Sequence, residues 1–488
     1  MLANNITPHQ SGVAAESRRK ITGSVPAVFW MSGLSGSGKS TVAVQFEKRM
    51  TEEGHAAFMI DGDTVRTGLC RGLGFSAEDR HENLRRIAYL AKAMASAGLT
   101  VVVCTISPDK QSRDTAREII EEAADFYEVY VKASVDVCAA RDPKGLYKRA
   151  FAGEIANFTG VSAPYEIPEQ PDIVLDTAAC TADECAEQLV TAALEGIYKP
   201  SELVKSMLDA AMLASAKIME IYDGRYDVSF KEDASPLTTA DTASNEVLTG
   251  YFREKYPAYS ILNEEENSAA DAHGMPERLS NNAGVFIIDP LDGTKEFIHR
   301  NGEFCVSIGF ATHNRVYAGV IAVPAKRLLY YAAEGHGSYK ISFDAVPTAD
   351  GIFDPANRIH VSGRTGTTGE ASDKLIITAS RSHGDRQTEA LLDLNADRIA
   401  DTITAGSCLK GCLIAEGAAD IHYRFGSFMK EWDTAAMQII CEEAGGIYTD
   451  GAGNKVPANR ADPVNHGGFI ILNSPESALK LPDASSTK

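Results

Sequence analysis

The run Gly33-Leu34-Ser35-Gly36-Ser37-Gly38-Lys39-Ser40 leaves little freedom to the chain around it. It follows an apolar stretch, residues 27–31, that reads as a buried strand, and it opens a helical pattern that begins with Thr41. Glycines at this spacing let successive N–H groups turn inward around a triphosphate, and the helix behind them adds its positive end. Lys39 would then reach the β- and γ-phosphates of ATP, and Ser40 would hold Mg²⁺. Strand-like runs recur at 56–60, 100–104, 127–131 and 173–175, with helical patterns at 82–97 and 114–124 between them. That alternation predicts an α/β P-loop domain with a parallel sheet and helices on both faces, binding its ligands at the carboxyl ends of the strands.

A second stretch makes a different demand. Asp289-Pro290-Leu291-Asp292-Gly293-Thr294 follows the apolar run 285–288, so two carboxylates sit behind a segment that should be buried. Unpaired buried carboxylates are costly, and two facing one point suit a hard divalent cation. A chain of 488 residues exceeds one core, so two or three domains are expected. With 47 basic against 67 acidic residues the net charge is −20, which argues against nucleic acid or an anionic membrane as main partner. Nine cysteines without a Cys-x-x-Cys pair read as reduced core residues. No apolar run approaches a membrane span, and residues 1–20 lack the apolar centre of a secretory signal, so a cytoplasmic enzyme with a disordered tail over 1–21 is expected.

The loops that should meet the P-loop are rich in charge. Asp61-Gly62-Asp63 ends the second strand, and five arginines lie from Arg66 to Arg86, an anion funnel in an otherwise acidic chain. Together with Phe75-Ser76, Arg80, Asn83, Ile106-Ser107-Pro108, Arg141-Asp142-Pro143-Lys144-Gly145-Leu146-Tyr147 and Phe158-Thr159-Gly160, this segment resembles adenylylsulfate (APS) kinase. The resemblance implies phosphoryl transfer from MgATP to the 3′-hydroxyl of APS, giving 3′-phosphoadenylylsulfate (PAPS). It places Arg141 at ATP and Asp61 and Asp63 near the 3′-hydroxyl and the metal. Arg66, Arg80, Asn83, Ile106 and Ser107 hold the sulfated nucleotide, Phe75 and Phe158 stack on its adenine, and Lys144 belongs to a lid. Ser107 matches a serine able to carry a phosphoryl group, whereas Asp63 is the better base, since a carboxylate can orient the attacking hydroxyl. Thr64 and Lys110 depart from the family's usual Asn and Arg.

In the second half, acidic elements flank the 289–294 turn: Asp241 after the 231–238 turn, Asn263-Glu264-Glu265-Glu266 after a strand-like run, and Trp432-Asp433 opening a helix. The donors offered are oxygens, with no His or Cys at metal spacing, so Mg²⁺ fits better than Zn²⁺. This ordered set resembles the lithium-sensitive inositol monophosphatase superfamily, with an α+β, layered αβαβα fold. The resemblance makes Glu264, Asp289, Asp292, Asp433 and the Leu291 carbonyl metal ligands. It pairs Asp241 with Thr294 to activate water, and sets the Gly293 and Thr294 N–H groups on the phosphate. Ser380-Arg381-Ser382-His383, Gly406-Ser407-Cys408-Leu409-Lys410 and Tyr423-Arg424-Phe425-Gly426 look like the 3′(2′),5′-bisphosphate nucleotidase (CysQ-type) branch. In that branch His383, Ser407, Lys410 and Arg424 would hold adenosine 3′,5′-bisphosphate (PAP).

The expected layout is a tail (1–21), a kinase domain (22–197), a linker (198–200), a nucleotidase domain (201–476) and a second tail (477–488). The expected enzyme makes PAPS and hydrolyses PAP to AMP, with Mg²⁺ in both domains and ATP as co-substrate. Its partners are the small nucleotides ATP, APS, PAPS and PAP. Dimeric relatives suggest a homo-oligomer, and the origin of APS suggests association with ATP sulfurylase. The rival readings are an inositol or sugar phosphatase joined to the kinase, and a non-catalytic nucleotide sensor.

Overall fold

The computed structural model describes residues 11–224, 228–230, 236–266, 278–280, 283–380, 386–406, 408–426 and 429–482. Two compact units share the chain, Met1–Lys199 and Pro200–Lys488.

The first unit contains α1 (Ala15–Thr22), β1 (Ala27–Ser32), α2 (Lys39–Glu52), β2 (Ala57–Asp61), α3 (Gly62–Thr67), α4 (Ala77–Ser96), β3 (Thr100–Cys104), α5 (Lys110–Glu121), β4 (Asp125–Lys132), α6 (Val135–Arg141), α7 (Leu146–Phe151), β5 (Ile173–Asp176) and α8 (Ala182–Tyr198). Its five strands are parallel in the order β2-β3-β1-β4-β5. Every residue of β1 and β3 is buried, as expected of central strands covered by helices on both faces. Helix starts are fixed locally: Ser76 accepts from the Asp79 N–H at 3.1 Å to begin α4, and Asp109 accepts from Ser112 at 2.8 Å to begin α5. The carboxyl ends of β1, β2 and β3 thus lead straight into the P-loop, α3 and the 105–108 segment.

The second unit contains α9 (Pro200–Asp223), β6 (Val228–Phe230), β7 (Pro236–Thr238), α10 (Thr239–Lys255), β8 (Ser260–Asn263), β9 (Val285–Asp292), α11 (Thr294–Ile298), β10 (Cys305–Thr312), β11 (Arg315–Val323), β12 (Leu328–Ala333), β13 (Gly337–Ser342), β14 (Arg358–Ile359), β15 (Leu375–Ser380), α12 (Arg386–Leu394), β16 (Ile399–Ala405), α13 (Leu409–Ala415), β17 (Ile421–Arg424), α14 (Glu431–Glu443), β18 (Ile447–Asp450) and β19 (Phe469–Leu472). A seven-stranded sheet, β14-β13-β12-β11-β10-β9-β8, carries α9 and α10 on one face and α14 on the other. A five-stranded sheet, β16-β15-β17-β19-β18, follows, with α12 packing Leu391 against Leu375, Ile377 and Ile421. The layers therefore run αβαβα. Helix α14 lies hard on its sheet because Gly309 and Gly319 carry no side chain: a Cβ at Gly309 would meet Ala435 at 2.8 Å, and one at Gly319 would meet Ile439 at 2.6 Å. That close approach fixes where the start of α14 ends up.

Three segment expectations need correction. Residues 15–21 of the expected tail are helical, because Arg19 donates to the Ile197 carbonyl at 2.6 Å and Gly23 closes the helix in the left-handed conformation. No linker spans 198–200: Tyr198 is the buried end of α8, Pro200 is the buried start of α9, and Lys199 alone turns between them. The expected tail at 477–488 is packed where it begins, with Ser477 and Leu479 buried and the Leu479 N–H donating to the Tyr423 hydroxyl at 2.9 Å. All nine cysteines are free, and among the described residues no helix is long and apolar enough to cross a membrane.

Two candidate active sites

In the first unit a cavity of about 990 Å³ opens at the carboxyl ends of the strands. Ser35, Gly36, Gly38, Lys39, Ser40 and Thr41 line one end of it; Asp61, Asp63, Arg66, Phe75, Arg80, Asn83, Ile106, Ser107, Lys144 and Phe158 line the rest, with Arg141 beside the loop. Three further residues of the loop shape it from behind. A Cβ on Gly33 would stand 2.6 Å from the Val131 carbonyl, so only glycine lets the loop lie against β4. Lys39 curls back to donate to the carbonyls of Gly33 at 2.8 Å and Leu34 at 2.7 Å, with Ser37 at 3.4 Å. Burial pushes its ammonium down to about 8, and the nearby Asp63 and Asp61 pull it partly back.

Ser40 donates to Asp61 at 3.2 Å, putting a hydroxyl and a carboxylate where a phosphate-bound cation would sit. Asp63 is paired with Lys144 at 2.6 Å across the cavity. Arg66 covers the Phe75 ring at 4.6 Å, and Arg80 is held by the Asn157 carbonyl at 2.6 Å and the Thr159 hydroxyl at 3.0 Å. Asn83 is buried with its Oδ1 lacking a partner, an acceptor ready for a ligand N–H or O–H. Arg141 donates to the Thr177 carbonyl at 2.6 Å and towards the Ser37 carbonyl at 3.4 Å, clamping the P-loop from outside. The Ser107 hydroxyl is buried, accepting from Trp30 Nε1 at 2.9 Å and sharing a bond with Thr105 at 2.7 Å. Those partners give it neither a base nor an open approach in this conformation.

The second site forms where β9 ends. Asp289, Asp292 and Asp433 each bring one carboxylate oxygen within 4.8 Å of the others. Asp289 is 1% exposed, and burial, then the charges of Glu264, Asp292, Asp433 and Asp241, drives it well above the usual carboxylate range. Burial, with Asp292 and Glu264, pushes Asp433 up to about 8. Carboxylates driven towards neutrality around one point, offering oxygens alone, fit a hard divalent cation. Asp289, Asp292 and Asp433 would hold it, with Glu264 and the Leu291 carbonyl alongside.

Asp241 caps α10, accepting from the Thr238 N–H at 2.8 Å and its hydroxyl at 2.6 Å, and its other oxygen accepts from the Thr294 hydroxyl at 3.0 Å. Gly293, at φ +95°, turns the chain from β9 into α11. Lys410 is 6% exposed on α13; burial lowers its pKa, opposed by Asp292 and Cys408 and reinforced by Arg424. His383 and Ser407 lie outside the described residues, as does Lys231 to Ser235.

Two contributors were not singled out from the sequence. Cys408, read there as a core residue, donates both its N–H, at 2.6 Å, and its thiol to Asp292. Nothing local marks it, because the contact joins positions 116 residues apart. Thr238 could have been found: Thr-x-x-Asp before a helix is a capping-box spacing.

Comparisons with known proteins divide the chain in the same way. The family described as adenylylsulphate kinase matches residues 25–176, and the inositol monophosphatase family matches residues 199–480. The adenylyl-sulfate kinase of Staphylococcus carnosus (strain TM300) is 49% identical over 188 residues, 38% of this chain and 94% of its own length. That of Vibrio vulnificus (strain YJ016) is 48% identical over 200 residues, 40% of this chain and 95% of its own. The chain is an adenylylsulfate kinase joined to a member of the inositol monophosphatase family. The P-loop cavity thus belongs to the kinase unit and the acidic centre to the phosphatase unit. Among solved structures, CysQ from Bacteroides thetaiotaomicron, described as a bacterial member of the inositol monophosphatase family, is 35% identical with a TM-score of 0.47, covering 56% of this chain and 98% of that one.

Proposed function

We propose that the kinase unit makes PAPS at the cavity described above and that the phosphatase unit removes the 3′-phosphate of PAP, leaving AMP, with Mg²⁺ serving both. In the kinase unit Lys39 and the loop N–H groups hold the triphosphate, and Ser40 with Asp61 holds the ion. Phe75, Phe158, Arg66, Arg80 and Asn83 hold APS. Asp63, released from Lys144 as nucleotides enter, orients the 3′-hydroxyl and takes its proton.

In the phosphatase unit, Asp289, Asp292 and Asp433 would hold a divalent ion, which when bound would supply charge stabilisation and a more acidic water. Asp241, which accepts from the Thr294 hydroxyl at 3.0 Å, would take a proton through that hydroxyl from an attacking water, and the Gly293 and Thr294 N–H groups would orient the phosphate. The single observation that favours a bisphosphate over a monophosphate is Lys410. A buried ammonium beside Arg424 and close to the acidic centre offers a fixed site for a second anionic group.

Phosphate release from PAP, PAPS and inositol 1-phosphate by the purified protein tests this reading. PAP should be preferred, and Lys410→Ala or Arg424→Ala should raise KM for PAP about tenfold or more while sparing inositol 1-phosphate. Preference for inositol 1-phosphate, or indifference to both substitutions, would overturn it.

A further inference from the structure

One wall of the kinase cavity is the Thr105-Ile106-Ser107 segment just beyond β3. Ser107 stands at φ +42°, a left-handed conformation that is unfavourable for a residue with a Cβ and persists only where its surroundings impose it. Three contacts impose it here. Its hydroxyl is held by Trp30 and Thr105, as described above. Its carbonyl accepts from NH1 of Arg113 at 3.0 Å. One residue earlier, the Ile106 carbonyl accepts from the Gly33 N–H at 3.3 Å, which ties the same segment to the triphosphate loop.

Arg113, on α5, is 4% exposed and is not among the residues that line the cavity. A guanidinium so deeply buried is costly unless its donors are used. They are: Nε pairs with Glu128 on β4 at 2.8 Å, and NH1 reaches Ser107. Glu128 is itself fixed, because its N–H donates to Asp172 at 2.6 Å and its carboxylate faces Arg117 at 3.9 Å.

We propose that Arg113 is a positioning residue for the acceptor nucleotide. Braced by Glu128, it locks the Ser107 backbone in its left-handed conformation and so sets the wall against which APS lies, without touching APS itself. The proposal rests on the reading that APS lies against Ser107. It predicts an asymmetry between the substrates. The triphosphate loop keeps supports that do not pass through this segment, Lys39 on the Gly33 and Leu34 carbonyls and Arg141 towards the Ser37 carbonyl, whereas the Ser107 carbonyl has Arg113 as its side-chain donor.

Kinetics of Arg113→Met, Arg113→Lys and Glu128→Gln test it, in a Trp432→Phe background. The chain has two tryptophans, so Trp30 is then the sole indole, excited selectively over the tyrosines, and its partner is Ser107 itself. Arg113→Met should raise KM for APS about tenfold or more and keep KM for ATP within about twofold. The Lys and Gln variants should show smaller rises of the same kind, and Trp30 emission should shift. If Arg113→Met does not fold, the Lys and Gln variants carry the test. An unchanged KM for APS, or equal rises for both substrates alongside a fall in Tm, would overturn the proposal. Phe75→Ala and Ser107→Ala distinguish the two layers of inference. If neither moves KM for APS, the placement of APS fails and takes this proposal with it. If both raise it while the Arg113 variants do not, the Arg113 role alone fails.

Discussion

The kinase cavity meets phosphate with donors already in place, an ammonium and arginines, whereas the phosphatase centre meets it with carboxylates that need a cation first. In the first site the charges are largely balanced before any ligand arrives: Lys144 pairs with Asp63, and Lys39 is satisfied by the carbonyls of its own loop. In the second, burial and mutual repulsion push Asp289 and Asp433 far from their ordinary ionisation. One site is preorganised and waits, while the other holds repulsion that binding a cation relieves. The difference follows from where the acids sit. Asp61 is half-buried and Asp63 is exposed, whereas Asp289 lies within a fully buried strand.

Asp289→Asn should break that contrast most severely. It removes a ligand and also a source of repulsion, so phosphate release should fall about a thousandfold or more while the metal-free phosphatase unit becomes more heat-stable. Turnover together with calorimetry, with and without Mg²⁺, reads both effects. In the unsubstituted protein Mg²⁺ at about a hundred times its Kd should stabilise that unit by about 2.7 kcal/mol. PAPS formation should be untouched by the change.

Lys39→Ala is the counterpart in the preorganised site. Losing one fixed donor should lower PAPS formation about a hundredfold or more with no gain in stability, because no repulsion is relieved. Coupled assays of both activities on one preparation would show whether the two sites fail independently.

The smallest effect concerns pH and the cations of the phosphatase unit. Burial first, then Lys410 and Arg424, pushes the His422 imidazole down to about 3. Between that value and about 6.5 the unfolded chain takes up a proton that the folded chain refuses, so stability falls as pH drops through this window. The contribution of His422 is up to about 1.4 kcal/mol per pH unit, and His422→Gln should flatten the slope in denaturant midpoints measured across it.

Much of both units was legible along the chain. The P-loop, the Asp61-Gly62-Asp63 turn and the Asp289–Thr294 turn each lie within a few residues, and local rules for strands, caps and glycine turns place them. The ends of the units were misread because what orders them is distant: Arg19 is held by Ile197, and Leu479 by Tyr423. Composition around residues 15–21 and 477–480 looks like a tail because none of those partners is nearby in sequence.

By itself, then, the sequence determined the chemistry on offer: a triphosphate loop followed by acids and arginines, and a carboxylate set suited to a hard cation. Tertiary structure decided which of those groups meet and in what state. Helix α14 brings Asp433 to Asp289 because Gly309 and Gly319 let it approach its sheet, and burial there moves the acids' ionisation. The Arg113–Ser107 contact and the Cys408–Asp292 contact arise in the same way, from elements packed together across the fold. Residue type sets what a group can do, but distance and loss of solvent set its charge and its partners, and only packing supplies those.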